Sequence, residues 1–120
     1  MALKLTAKQQ NQLAFLENLP PRISRVAAIV EQMGGNVADE TAVRQMIRVL
    51  DESKAGASQL SINGLADALG GMAAVARRGG GLQVKVRGLR DCLASVKMNY
   101  DSAMKKASIP EAHHADEPEG

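Results

Sequence analysis

Apolar residues recur every three or four positions along most of this chain, and the runs are cut at Pro20–Pro21, Gly34–Gly35 and Gly79–Gly81. That period lines up one side of an α-helix, while proline and paired glycines stop helices. Strict apolar–polar alternation, the strand signature, is confined to "LQVKV" at Leu82–Val86. The chain is therefore expected to be all-α.

The segments follow from these breaks. "TAKQQNQLAFLENL" predicts a short first helix, with Thr6 as N-cap and Leu13, Phe15 and Leu16 at its inner end. A second helix over Pro21–Met33 carries the stripe Ile23, Val26, Ile29, Val30 and Met33, ended by Gly34–Gly35. A third, capped by Asp39 or Thr41, runs to Ser58 or Leu60 with Val43, Met46, Ile47, Leu50, Ser53 and Ala57 inward. Ser61 is the expected N-cap of a fourth, Ile62–Arg78, with Leu65, Ala68, Leu69, Met72, Val75 and Ala76 inward. A fifth runs from Leu82 or Val84 to Lys106 on Val86, Leu89, Leu93, Val96, Tyr100 and Met104. Four long amphipathic segments on short loops imply an antiparallel up-down four-helix bundle over residues 1–107, with the short N-terminal helix on one end. Residues 108–120, acidic and proline-containing, are expected to be a disordered tail.

Composition narrows the function classes. Apolar residues make up 45% of the chain but aromatics only 2%, so the core must be aliphatic and base-stacking recognition has no platform. The net charge is +2, yet residues 107–120 hold four acids and no Lys or Arg. Fifteen bases against nine acids leave residues 1–106 at +6, which favours an acidic partner over a dedicated nucleic-acid role. Cys92 is the only cysteine and lies at the edge of an apolar stripe, so a buried inert thiol and a reducing compartment are expected. No segment has signal-peptide or membrane-spanning length and apolarity, so a cytoplasmic protein without membrane contact is expected.

Chemistry-bearing residues are sparse. His113 and His114 are the only histidines and sit in the tail, where they make no preorganised metal site. No Cys–His pair or Ser–His–carboxylate set can be assembled on the helices, so neither an enzyme nor a cofactor is expected. "RRGGGLQVK" is basic and glycine-rich but lacks the strand before it and the Lys-Ser/Thr ending of a phosphate loop, and reads as an interhelical turn. Arg77, Arg78, Lys85, Arg87 and Arg90 surround that turn as a basic end.

The middle of the chain carries the most specific signal. In "MIRVLDESKAGASQLSINGLADAL", Met46–Leu69, an Ile47–Arg48 pair precedes Asp51. Lys54 and the small run Ala55, Gly56, Ala57 and Ser58 follow it, then Leu60 and Leu65–Ala66. This stretch resembles the central motif of histidine phosphotransfer (Hpt) domains, most closely the phosphotransfer domain of chemotaxis histidine kinases. The resemblance spans roughly residues 12–106. It implies a four-helix bundle whose third and fourth helices present a docking face to a response-regulator receiver or a histidine kinase. Asp51 falls where the family has its phosphoacceptor histidine, and Gly70 and Ala73 stand where a His and a Glu often tune it. With no histidine between residues 1 and 112, the bundle has no phosphohistidine to carry.

The expected partner-binding residues are Arg44, Arg48, Asp51, Glu52, Lys54, Ala55 and Ser58 on the third helix. Asp67, Gly70, Gly71 and Ala74 extend them on the fourth. Asp51 is read either as a fixed negative charge imitating a phosphorylated side chain or as an ordinary residue pairing with Arg48 or Lys54. Phosphorylation of Asp51 itself would need a metal and an acidic pocket that an exposed helix does not supply. The expected function is a catalytically silent Hpt-like adaptor. The alternatives are a structural helical protein that forms a homodimer or packs in an assembly through Gly70–Gly71, and nucleic-acid binding through the Arg77–Arg90 end.

Overall fold

Pro20 and Pro21 set the first corner of the chain. In the computed structural model, which describes residues 4–110, α1 (Ala7–Glu17) ends just before them and α2 (Pro20–Gly34) begins on them. Pro20 has no N–H to return to the Leu16 carbonyl one turn back. The Tyr100 hydroxyl reaches across from the last helix and donates to that carbonyl at 3.0 Å. The remaining helices are α3 (Glu40–Gln59), α4 (Asn63–Arg77) and α5 (Leu82–Ser108). The "LQVKV" segment is the first turn of α5, and there is no strand among the described residues.

Contacts run from α2 to α3, α3 to α4, α4 to α5 and α5 back to α2, so these four helices close a ring with α3 diagonal to α5. The aliphatic stripes meet inside it: Val26, Val30, Met46, Leu50, Leu65, Leu69, Met72, Val86, Leu89 and Val96 are each at most 2% exposed. α4 buries more of itself than its stripe predicted, because Ala66 and Ala73 are also buried. On α5, Val86, Leu89 and Val96 are buried and Cys92, Leu93, Tyr100 and Met104 half-buried, while Ala107 extends the buried side one turn further.

Helix α1 packs on the C-terminal part of α5 and against α3. Phe15 packs so closely on α3 that a Cβ at Gly56 would stand 2.5 Å from its ring. Gln9 is 1% exposed and fully bonded. Its amide donates to the Lys106 carbonyl at 3.0 Å and the Ile109 carbonyl at 2.6 Å, and its oxygen accepts from the Thr6 N–H at 3.0 Å. Gln9 thereby closes the open carbonyl end of α5.

α2 ends at Gly34–Gly35 as expected, while two other expectations are corrected. Asn36 (φ 60°) takes the left-handed position just after α2, and the Val37 N–H bonds back to the Gln32 carbonyl. Asparagine tolerates this region better than most residues. Ser61 does not cap α4. It holds φ 60° as the left-handed residue closing α3, with the Ile62 N–H on the Ala57 carbonyl, and Ile62 opens α4 with no side-chain cap. Lastly, α5 continues to Ser108 and Gln9 fastens Ile109, so the fold includes the first residues assigned to the tail. The expected disorder of the tail otherwise concerns residues 111–120, which lie outside the described residues, as do His113 and His114.

Candidate protein-docking site

Asp51 sits mid-way along α3, half-buried at the seam with α4. Sequence spacing offered it Arg48 or Lys54 as partners, and the structure gives it neither. Arg77, the last residue of α4, donates its Nη2 to Asp51 Oδ2 across the seam. Lys54 is engaged elsewhere. Its aliphatic stem lies over Gly70 so closely that a Cβ there would come within 3.1 Å of Lys54 Cε and 3.2 Å of Cδ. Arg48, one turn before Asp51 on α3, is exposed and forms no ion pair among the described residues. The expected bare negative charge at Asp51 is thus met by a guanidinium of the same chain.

Around this pair the surface is smooth. Ala55 and Ser58 on α3 and Asp67, Gly71 and Ala74 on α4 are exposed. A Cβ on Gly71 would meet nothing within 4 Å. Gly70 and Gly71 therefore differ: Gly70 accommodates the chain's own lysine, and only Gly71 keeps an open surface. Glu52 and Arg48 are exposed beside the smooth area, while Arg44 lies one turn before Arg48 and is tied to Glu40 in the first turn of α3. The structure thus gathers Asp51, Lys54, Ala55, Ser58, Asp67, Gly70, Gly71 and Ala74 on one face and leaves Arg44 at its margin.

Beneath this face Ser53 is 1% exposed, and its hydroxyl has no hydrogen-bond partner. It borders a void of about 10 Å³ lined by Val26, Leu50, Leu69 and Val96, among others. That is room for about one water and no organic ligand. A polar cleft of about 150 Å³ at the start of α4 brings Ser61 and Ser102 near Asn99 and Lys106. No imidazole or carboxylate lines it to activate either hydroxyl. Cys92 is half-buried, and burial first, then Asp91, push its thiol upward, with Arg78 opposing weakly. A raised thiol is a poor nucleophile. Among the described residues no three His, Cys, Asp or Glu side chains group as metal ligands, and no helix is long and apolar enough to cross a membrane.

The basic end is less basic than its sequence. Arg90 forms a two-pronged pair with Glu31, Nε to Oε2 at 3.1 Å and Nη2 to Oε1 at 3.0 Å. Glu31 is lowered by its hydrogen bonds to Arg90 and then by that residue's charge. With Arg77 held by Asp51, only Arg78, Lys85 and Arg87 of the five form no ion pair among the described residues.

No family model, curated protein or solved structure matches the chain.

Proposed function

We propose that this chain is a catalytically silent, Hpt-like adaptor whose α3–α4 face binds a receiver domain or a histidine kinase of two-component signalling. The observation that carries the reading is the position of Asp51. The residue that the motif aligns with the phosphoacceptor lies at the α3–α4 seam, and the exposed residues next to it along both helices stay small where a partner backbone would approach. The reading includes the antiparallel up-down order of α2 to α5. The ring of contacts supports that order, as does the Glu31–Arg90 pair joining the end of α2 to the start of α5. It assigns no catalytic residue and no cofactor. The +6 charge of residues 1–106 favours an acidic partner. Because Arg77 answers Asp51, the partner meets a neutral pair, and Asp51 acts by holding Arg77 in place more than as a phosphoryl mimic.

The test is a titration against receiver and kinase domains, with Asp51→Lys and Gly71→Leu beside the parent chain. Saturable binding weakened by both substitutions, with no phosphoryl uptake from a phosphorylated kinase, is the expected outcome. Absence of binding to every such domain would sink the proposal. The open Gly71 surface also suits a second reading, in which this face packs against another copy or a larger assembly. A dimer of the isolated chain disrupted by Gly71→Leu would favour that reading over the first.

A further inference from the structure

In the ring of helices α5 stands diagonal to α3, so its outward side is remote from the α3–α4 face. That side carries Arg87, Asp91, Ala94, Lys97, Met98 and Asp101, all exposed, with Met98 72% exposed. Their spacings of three, four and seven place them along one side of the helix. The charges invert about Ala94. Three positions before it is Asp91 and three after is Lys97; seven before is Arg87 and seven after is Asp101. Arg87–Asp91 and Lys97–Asp101 have the spacing for pairing within the helix, yet neither pair is among the three salt bridges of the described residues. These charges remain available to something outside the chain.

We propose that the outer side of α5 is a self-association surface on which a second copy of this chain pairs antiparallel, about a two-fold axis at Ala94. In that arrangement each residue before Ala94 meets the residue equally far after it in the other copy. Arg87 meets Asp101 and Asp91 meets Lys97, and the two-fold axis makes each contact twice. Ala94 at the centre lets the helices approach. Met98 meets the stem of Arg90, whose guanidinium is fixed by Glu31 and whose methylenes are left as apolar surface. The end of each α5 then lies beside the start of the other, where Arg78 and Lys85 form no ion pair among the described residues. The surface is separate from the α3–α4 face, so it stands whether or not that face binds a receiver.

The experiment is sedimentation equilibrium of the full chain, from micromolar to millimolar concentration, at low and high salt. A dimer whose dissociation constant rises steeply with salt is expected. Asp101→Arg places two arginines opposite each other at two symmetry-related sites and weakens the dimer by about tenfold or more. Arg87→Asp alone weakens it similarly, and Arg87→Asp combined with Asp101→Arg restores it. Both substitutions are at exposed positions, and helical circular dichroism verifies that each of the three variants folds. A monomer throughout at low salt, single reversals without effect, or a double reversal that fails to recover association would overturn the proposal.

Discussion

Three glycines at different depths in the α3–α4 layer give a graded test of the packing. Replacing a mid-helix glycine by alanine removes about 1 kcal/mol of unfavourable helix propensity when the new methyl meets no obstacle. Gly71 satisfies that condition, since a Cβ there meets nothing within 4 Å. Gly71→Ala should therefore stabilise the fold by about 1 kcal/mol, a rise of roughly 3–6 °C in Tm for a chain of this size. At Gly70 the new Cβ would stand 3.1 Å from Lys54 Cε and 3.2 Å from Cδ. Those atoms end a flexible, exposed side chain that can move a few tenths of an ångström, so Gly70→Ala should retain about half the gain. At Gly56 the obstacle is the Phe15 ring, with atoms at 2.5, 3.2 and 3.3 Å, and that ring fastens α1 to α3. Overpacking of this kind typically costs about 1–3 kcal/mol, so Gly56→Ala should be net destabilising despite the better propensity. Urea melts of the three variants, read at constant m-value, give the order Gly71→Ala above Gly70→Ala above Gly56→Ala. A Gly71→Ala variant less stable than the parent, or a Gly56→Ala variant as stable as Gly71→Ala, would refute the reasoning.

Three other substitutions probe the polar contacts. Gln9→Ala leaves the Lys106 and Ile109 carbonyls without their donor and should cost about 1–3 kcal/mol, with faster amide exchange in the last turn of α5. Ser53→Ala removes a buried hydroxyl that has no partner and should be neutral or stabilising by up to about 1 kcal/mol in a thermal melt. The Tyr100 hydroxyl is raised chiefly by burial, then by Asp101 and Glu17, and it donates to Leu16. Because the folded state holds that proton more tightly than the unfolded chain, its contribution is complete below about pH 10 and lost as pH rises through the raised folded value. Tyr100→Phe should flatten that alkaline loss of stability and cost about 0.5–1.5 kcal/mol at neutral pH.

Much of this fold is legible in the sequence, for a physical reason. The stripe Ile23, Val26, Ile29, Val30 and Met33 has one way to face a core: the last four are buried and Ile23 is half-buried. The proline pair and the three-glycine turn break the helices where the chain does turn. Gln9 was missed because α1 has almost no apolar side to distinguish its faces, and a glutamine turns inward only when distant carbonyls await it. The only sequence hint of its role is its place three residues after Thr6, the spacing of a capping box. Ser61 was misjudged because a serine serves either as a cap or as a left-handed residue, and the hydrogen bonds of the closing turn decide between them. Within the candidate site, periodicity set which residues share a face. It did not set the Asp51–Arg77 pair or the seat of Lys54 on Gly70, which depend on how two helices separated by a loop come to lie side by side.

The adaptor reading is tested most directly by following backbone amide shifts of the labelled chain while receiver domains are added. The account expects saturable shifts centred on Asp51, Ala55, Gly71 and Ala74, absent in Gly71→Leu although that variant remains folded. Shifts confined to other helices, or none with any receiver or kinase domain, would contradict it.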